Sequence, residues 1–430
     1  MSKLQELINK LCPNGVEYKP LAEVFEMRNG YTPSKNNPDF WEGGTIPWFR
    51  MDDIRENGRI LSDSIQHITP SAIKGKGLFE ANSFILATTA TIGEHALIIA
   101  DSLANQRFTN LKVRKSLSNL LVTKFIYYYM FIVDDFCKRN TNVSGFASVD
   151  MDKLKKMPFP VPPIEVQEEI VRILDSFSDY AAELQAELQA RKQQYEYYRN
   201  LLLTFNPSAY GCGTDDEQKD GVTTWEGRNY KIEWKKLGDV FEMRNGYTPS
   251  KNNPKFWVGG TIPWFRMDDI RENGRILSDS IQHITPSAIK GKGLFEANSF
   301  ILATTATIGE HALIIADSLA NQQFTNLKVR KSLSNLLVTK FIYYYMFIID
   351  DFCKKNTNVS GFASVDMDKL KRMPFPIPPL ELQEKIVAIL DRFETLVNDL
   401  TNGLPAEIAA VKDQYEYYRN KLLTFKKLSA

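Results

Sequence analysis

The chain contains little cysteine and little histidine, with four residues of each among 430. The cysteines form no C-x-x-C pair and no disulfide framework, so we expect reduced thiols at Cys12, Cys137, Cys212 and Cys353. His67 and His95 have no cysteine or carboxylate at ligand spacing, and we interpret both as hydrogen-bonding side chains. These observations argue against a disulfide-stapled domain and against a zinc module, and we predict no metal site.

Long hydrophobic runs are also missing. The longest, Phe125 to Val133, is far shorter than the ~20 residues that a membrane-spanning helix needs. The first residues lack the apolar stretch typical of an export signal. We therefore expect a soluble, cytoplasmic protein, and a hydrophobic content of 43% is sufficient for packed cores.

Familiar catalytic motifs are absent from the sequence. There is no G-x-x-x-x-G-K-[ST] phosphate loop, no G-x-G-x-x-G and no H-E-x-x-H. Asn37-Pro-Asp-Phe40 resembles the adenine-methyltransferase pattern N-P-P-[YF] only loosely. The adjacent carboxylates of Asp52 and Asp53 could belong to a nuclease, but their setting between a strand and a turn favours a structural role. We predict no catalytic residue and no cofactor bound by this chain.

What the sequence does contain is a long internal repeat. Residues 24–160 (block 1) align without a gap with residues 240–376 (block 2), and 131 of the 137 positions are identical. The six differences are Asp39/Lys255, Glu42/Val258, Arg107/Gln323, Val133/Ile349, Arg139/Lys355 and Lys156/Arg372. A period of 216 residues indicates a duplicated domain rather than a solenoid of short repeats.

Each block has the pattern of a mixed α/β domain. In block 1, residues 84–87, 96–99 and 108–113 are short apolar or alternating runs and predict strands. Residues 122–136 carry apolar side chains at helical spacing and predict a helix. The Tyr127–Tyr129 stripe on this helix is interpreted as packing rather than as a base-stacking platform.

A long heptad pattern follows each block. The first seam comprises Ile170, Leu174, Phe177, Ala181, Leu184, Leu188, Arg191, Tyr195, Tyr198, Leu202 and Phe205. The second comprises Ile386, Leu390, Phe393, Val397, Leu400, Leu404, Ile408, Val411, Tyr415, Tyr418, Leu422 and Phe425. Steps of four and three residues alternate, which is typical of a coiled coil. Two such seams most simply bury each other; the alternative is two separate amphipathic helices on globular cores.

The second seam contains one irregularity. Two successive steps of four, Leu400-Leu404-Ile408, form a stutter, and Gly403 and Pro405 lie beside it, so a bend or break is expected there. Between the first seam and block 2, residues 206–230 are rich in Gly, Asp, Thr and Ser and predict an exposed linker.

Charge is distributed unevenly along the chain. Block 1 has 17 Lys and Arg against 14 Asp and Glu, block 2 has 17 against 12, and the remainder of the chain is acidic. Such asymmetry hints at a polyanionic partner for the blocks. Loop cations and hydroxyls could contact DNA phosphates or base edges. The candidates are Arg28, Tyr31, Thr32, Ser34, Lys35, Arg50, Arg55, Lys74, Lys76, Thr89 and Arg107, with Arg244, Tyr247, Thr248, Ser250, Lys251, Arg266, Arg271, Lys290, Lys292, Thr305 and Gln323 in block 2.

Several segments resemble a known family. They are Leu11-Cys-Pro-Asn-Gly-Val-Glu-Tyr18, Gly30-Tyr-Thr-Pro-Ser34, Asn105-Gln106, Pro160-Val-Pro-Pro-Ile-Glu-Val-Gln-Glu-Glu-Ile-Val171 and Pro376-Ile-Pro-Pro-Leu-Glu-Leu-Gln-Glu-Lys-Ile-Val387. Together they make the whole chain similar to the specificity subunits of type I restriction–modification systems. The specific marker is the duplicated proline-rich start of a heptad helix.

The resemblance implies an α/β (α+β) fold with two target recognition domains and two long helices in an antiparallel, pseudo-twofold coiled coil. The expected organisation is a first recognition domain in 1–163, helices in 164–205 and 380–430, a linker in 206–234 and a second recognition domain in 235–379. It also implies partner modification and restriction subunits, to which S-adenosylmethionine, ATP and Mg²⁺ would belong.

The near-identity of the blocks departs from the family, whose members usually carry two different recognition domains. Twin readers related by a twofold axis would read the same sequence on opposite DNA strands. The sequence therefore predicts an interrupted palindrome as target, with the helices setting the spacer. Two other classes of function stay open: a protein–protein scaffold that binds no DNA, and a nuclease with a hidden site.

Overall fold

The computed structural model describes residues 3–142, 147–205, 221–358, 363–398 and 403–428. The chain divides into two compact units, each of which has one block and parts of both long helices. Unit 1 comprises residues 1–185 and 407–430, and unit 2 comprises residues 186–406. The mixed α/β class expected from the sequence is confirmed in both blocks.

Unit 1 contains two sheets around the core of block 1. The strands of the larger sheet, in spatial order, are Phe25–Asn29, Phe108–Val113, Ser83–Ala87, His95–Ile98 and Ile60–Leu61. Neighbours are antiparallel except for the last pair, which is parallel. The smaller sheet has the order His67–Ile68, Ile46–Phe49, Leu103–Ala104. Strand Ser83–Ala87 is buried along its whole length, which explains the apolar run that follows Ser83.

The α-helices of unit 1 and the remaining strands frame these sheets. Two-stranded pairs join Glu17–Pro20 to Pro158–Val161 and Thr141–Asn142 to Ser148–Val149. The helices are Lys3–Leu11, Leu21–Val24, Met51–Asn57, Thr123–Arg139, Met151–Lys156 and the start of Ile164–Leu203, with the end of Leu404–Leu422. Helix Thr123–Arg139 packs against the large sheet and confirms the helix predicted over 122–136.

Block 2 repeats this arrangement with closely matching register. Its larger sheet has the order Phe241–Asn245, Phe324–Val329, Ser299–Ala303, His311–Ile314, Ile276–Leu277, and its smaller one His283–Ile284, Ile262–Phe265, Leu319–Ala320. A two-stranded pair joins Thr357–Asn358 to Ser364–Val365. The helices of unit 2 are Leu237–Val240, Met267–Asn273, Thr339–Lys355, Met367–Arg372 and Leu380–Asn398, with the end of Ile164–Leu203.

The segment predicted to be a linker is partly structured. Strands Gly221–Trp225 and Arg228–Lys236 form an antiparallel pair, and the second also pairs with Pro374–Ile377. Thr224 and residues 226–229 are exposed, as expected of this segment, but its last part forms a hairpin that the sequence did not predict. Residues 206–220 lie outside the described part of the chain.

A buried glutamine explains the proline-rich motif before each long helix. The Gln167 amide nitrogen donates to the carbonyls of Leu120 and Pro162, both at 2.7 Å, and its oxygen accepts from the Val122 amide at 2.8 Å. The side chain is fully buried, and it joins the start of the long helix to the start of helix Thr123–Arg139. Gln383 makes the equivalent three hydrogen bonds in block 2.

The two long helices meet within each unit. In unit 1, the Phe177 and Tyr418 rings stack at 5.6 Å, and the Tyr180 hydroxyl donates to Glu407 at 2.7 Å. Residue numbers rise along one helix as they fall along the other, so the two segments are antiparallel. In unit 2, the Phe393 ring stacks on Tyr198 at 5.8 Å. Position 393 of the second seam corresponds to 177 of the first, and 418 corresponds to 198. Each unit therefore has the same ring contact, but the helix that supplies each ring is the other one.

The first seam forms a continuous helix, Ile164–Leu203, of 40 residues. The second is described as helices Leu380–Asn398 and Leu404–Leu422. The predicted stutter begins at Leu400, which lies outside the described residues, so the expected bend is not described. Cys12, Cys137 and Cys353 are buried free thiols, and Cys212 also lies outside the described part.

Candidate nucleic-acid interface

Block 1 has a polar cleft of about 330 Å³ where three loops meet. Its lining includes five of the predicted DNA-contacting residues: Thr32, Lys35, Arg50, Arg55 and Arg107. The other lining residues are Trp48, Met51, Asp52, Thr91, Asn105 and Gln106. We call this set the basic cleft of block 1.

A glycine brings two of these loops together. Gly30 donates its amide to the Phe108 carbonyl at 2.8 Å, and the Tyr31 amide donates to the Ala104 carbonyl at 2.9 Å. A Cβ at position 30 would lie well inside van der Waals contact of the Ala104 and Asn105 carbonyl groups. Only glycine permits this approach, which places Thr32 beside Gln106, with which it hydrogen-bonds.

A buried carboxylate positions the arginines. Asp53 accepts the amide of Arg50 at 2.6 Å, capping helix Met51–Asn57, and accepts the amide of Ile65 at 2.6 Å. Asp53 is fully buried, so its predicted structural role is confirmed. The cap fixes the start of the helix that carries Arg50 and Arg55 into the cleft.

The cleft has a positive electrostatic character. Four cationic side chains line it, and its single lining carboxylate, Asp52, lies 3.8 Å from Arg50. Within the described part of the chain, Lys35, Arg55 and Arg107 have no ionic or side-chain hydrogen-bonding partner. Free cations around a polar groove suit a phosphate-bearing polymer.

Two buried polar atoms at the cleft also lack a partner among the described residues. They are Nε of Arg50 and Oγ1 of Thr91. The equivalent atoms of Arg266 and Thr307 are orphaned in the same way.

Block 2 carries the equivalent residues with equivalent contacts, and we call this set the groove of block 2. Asp269 caps its helix by accepting from the Arg266 amide at 2.6 Å, and Thr248 hydrogen-bonds Gln322. Arg266 lies 3.6 Å from Asp268, and Lys251 and Arg271 are exposed. Gln323 stands where block 1 has Arg107, so this groove has one cation fewer.

Some predicted contacts have roles in folding instead. The Arg28 guanidinium donates to the carbonyls of Lys76 at 2.8 Å and Leu78 at 2.5 Å, and it lies 4.6 Å over the Phe79 ring. Arg244 likewise donates to the Leu294 carbonyl at 2.6 Å. These arginines join strands to a loop, so their donors are used within the block.

Tyr31 and the equivalent Tyr247 of block 2 also use their hydroxyl groups within their own blocks. The Tyr31 hydroxyl donates to the Ala72 carbonyl at 3.0 Å and accepts from the Lys74 amide at 2.7 Å. Tyr247 makes the same bonds to Ala288 and Lys290, at 3.1 and 2.7 Å. They position the loops that carry the neighbouring lysines.

The remaining candidates lie outside the cleft lining. Ser34, Lys74 and Lys76 are exposed, as are Ser250, Lys290 and Lys292. Thr89 and Thr305 form isolated β-bridges with Ser148 and Ser364. The structure does not gather these residues with the cleft, and their contact with DNA stays a prediction.

Sequence reasoning missed part of the cleft. In the sequence, Asn105 and Gln106 stand out only as a marker of the family. Trp48 gave no signal, because an aromatic residue in a strand is ordinary; its indole donates to the Tyr31 carbonyl at 3.0 Å. Long-range contacts between loops decide membership of the cleft, and sequence spacing does not report them.

A second polar cluster is buried between the block and the long helices. His95 Nδ1 lies 2.7 Å from Asp134, which lies 3.3 Å from Arg59. The Arg419 guanidinium lies 4.3 Å over the Phe131 ring beside this pair. Burial lowers the pKa of His95, and the two guanidinium groups act in the same direction. The interpretation of His95 as a hydrogen-bonding residue is confirmed.

The His67 prediction is confirmed as well, since its Nε2 lies 2.6 Å from Asp63. Tyr128 and Tyr129 of the tyrosine stripe are buried in the core, which confirms their packing role. In the part of the chain that the structure describes, no group of three or more His, Cys, Asp or Glu is placed to hold a metal ion. None of the described helices is long and apolar enough to cross a bilayer.

Two near-identical blocks, which share all of these cleft residues but one and are each followed by a long helix, indicate a DNA-recognition protein built on two similar domains. The sequence matches the family model described as the type I restriction modification DNA specificity domain over residues 13–191 and 230–410. The chain belongs to this family, and it is therefore a recognition subunit rather than an enzyme.

Two relatives support this assignment along the chain. The chain is 37% identical to the EcoprrI specificity subunit of Escherichia coli, over 96% of this chain and 94% of the relative. It is 32% identical to the EcoR124I/EcoR124II specificity subunit of the same species, over 99% and 98%. The fold is also similar to the HsdS subunit of Thermoanaerobacter tengcongensis, with a TM-score of 0.54 at 16% identity, covering 96% of this chain and 97% of that one.

Proposed function

We propose that this chain recognises a bipartite DNA sequence for a type I restriction–modification complex, with each basic cleft binding one half-site. The observation that carries this proposal is the basic cleft of block 1, in a specificity-family chain whose second block has the equivalent residues with Gln323 in place of Arg107. Its free cations supply phosphate contacts, and its amide and guanidinium groups are suited to base edges.

The two half-sites are the same sequence wherever identical residues of the two blocks read them, repeated in inverted orientation across a nonspecific spacer. This part of the proposal is supported by the 131 identical positions of the blocks. It is further supported by the helix contacts, since each unit is completed by the same residues drawn from the opposite helix. Identical readers with equivalent supports have no means of preferring very different half-sites.

The long helices set the spacer and dock the partner subunits. The continuous helix of 40 residues would extend for about 60 Å at ~1.5 Å per residue. Two modification subunits and the restriction subunits are the proposed partners. S-adenosylmethionine, ATP and Mg²⁺ would be bound by those partners, because this chain offers no motif for them.

The test is a genome-wide map of N6-methyladenine in the source organism with this gene intact and deleted. Loss of an interrupted palindromic motif on deletion is the expected result. Loss of a motif with two unrelated half-sites would keep the recognition role and refute the twin-reader argument. An unchanged methylation map in a strain whose complex is expressed would refute the recognition role itself.

A further inference from the structure

The six differences between the blocks are distributed unequally with respect to the cleft. Position 133/349 is in the core helix, and 39/255, 42/258, 139/355 and 156/372 are exposed at sites outside the cleft lining. Position 107/323 alone among them lines the cleft. It is also the one cleft position at which the two blocks present different chemistry.

The backbone holds this position in the same way in both blocks. The Arg107 amide donates to the Asn105 side chain at 3.0 Å, and its carbonyl accepts from the Thr88 amide at 2.9 Å. The Gln323 amide and carbonyl make the equivalent bonds, at 3.0 and 2.9 Å. The two side chains therefore leave the backbone from the same place in their grooves, and only their ends differ.

These ends are available to a ligand to different extents. Arg107 is exposed, and its guanidinium has no partner in the part of the chain that the structure describes. Gln323 is half-buried, and its oxygen accepts from the Asn321 side chain at 3.2 Å, which leaves the amide nitrogen to donate outward. Arg107 lines the same cleft as Arg50 and Thr91.

Arginine and glutamine read different bases. A guanidinium donates two parallel hydrogen bonds to O6 and N7 of guanine, whereas a carboxamide donates to N7 and accepts from N6 of adenine. Resting on the function proposed above, we infer that Arg107 and Gln323 determine specificity at one base pair of each half-site. The target is then a palindrome broken at one position, with guanine in the half read by block 1 and adenine in the half read by block 2.

The chain itself supplies the variants that test this inference. Arg107→Gln gives both blocks a glutamine, and Gln323→Arg gives both an arginine; each residue is already accommodated at the equivalent position. The double variant exchanges the two residues, so it should recover the wild-type motif, read from the opposite end. The matched control exchanges Asp39 and Lys255, which are exposed outside the cleft lining.

The measurement is the methyladenine motif in cells that carry the whole system with each variant. We expect Arg107→Gln to produce a perfect palindrome with adenine in both halves, and Gln323→Arg one with guanine in both. Discrimination at that base pair should change by about 5- to 150-fold, the factor that corresponds to a bidentate contact. The double variant and the control should keep the wild-type motif.

Two results would overturn the inference while leaving the proposed function intact. One is a wild-type motif that is perfectly palindromic and unchanged in both single variants. The other is a uniform loss of methylation at all sequences in Arg107→Gln, which would mean that Arg107 contacts phosphate. If deletion of the gene removes no motif, the proposed function fails first, and this outcome is distinguishable because it concerns the unmutated chain.

Discussion

Acid should destabilise both units through their buried histidines. His95 and His311 are fully buried, and each bonds a carboxylate through Nδ1 at 2.7 and 2.6 Å while its Nε2 lacks a partner among the described residues. Protonation would place an unpaired N–H among aromatic rings, and burial accordingly lowers the pKa of both histidines. In the unfolded chain a histidine has a pKa of ~6.5, so at acid pH it binds a proton that the folded chain excludes.

The pH dependence of the free energy of unfolding follows from this difference in proton binding. Stability is complete above the unfolded pKa of ~6.5 and falls as the pH is lowered through it, because proton uptake then favours unfolding. For a histidine that excludes the proton entirely in the folded state, the loss at pH 5.5 relative to pH 8 is about 1.4 kcal/mol. Each unit has one such histidine, so each should lose up to that amount.

Urea unfolding between pH 5.5 and pH 8, followed by tryptophan fluorescence, measures the effect. The double variant His95→Gln/His311→Gln should flatten the pH dependence over this range, whatever its stability at pH 8. The matched control is His67→Gln/His283→Gln, which removes two histidines from outside the core and should keep the loss of stability in acid that the buried pair causes. If the buried-histidine variant keeps the wild-type slope, the titrating groups are others and the reasoning is refuted.

Three further predictions concern the motif, the cleft and the helices. Gln167→Leu should lower the free energy of unfolding by about 2–5 kcal/mol, because three hydrogen bonds are lost and their partners stay unpaired. In the same urea titration, the control Gln193→Leu, at an exposed position, should have little effect. Lys35→Ala should weaken DNA binding at all sequences and reduce the slope of log K against log salt by about one, whereas an unchanged slope would remove Lys35 from the phosphate contacts. Deleting the four residues Leu400 to Gly403, equivalent to ~6 Å along a helix, should change the spacer in the methylated motif. Changed half-sites with the same spacer would contradict the ruler role.

The sequence predicts the repeat, the helix in each block, the long seams and the family, because each depends on local spacing or on exact repetition. The cleft was predictable only in part. Arg50 and Arg55 were recognised as cations near the right strand, but the same reasoning accepted Arg28, whose donors are used by two carbonyl groups. Which cation is free depends on contacts between residues about 50 positions apart in sequence. The hairpin at residues 221–236 was missed for a similar reason, since its Gly- and Thr-rich strand is stabilised by pairing rather than by apolar alternation.

The exchange of helices between units has a consequence for the first half of the chain. Unit 1 uses Tyr418 and Arg419 of the last helix, and unit 2 uses Tyr198 and Arg199 of the first helix in the equivalent contacts. A chain ending at residue 205 keeps block 1 and the whole first helix. The helix residues that are equivalent to those contacting block 1 lie near the C-terminal end of that helix, away from its own block. Two copies can supply them to each other, so the truncated chain should form a dimer, measurable by light scattering. With Arg107 in both readers, this dimer should direct methylation to the guanine form of the perfect palindrome, and a monomeric, folded fragment would show that the exchanged contacts are dispensable.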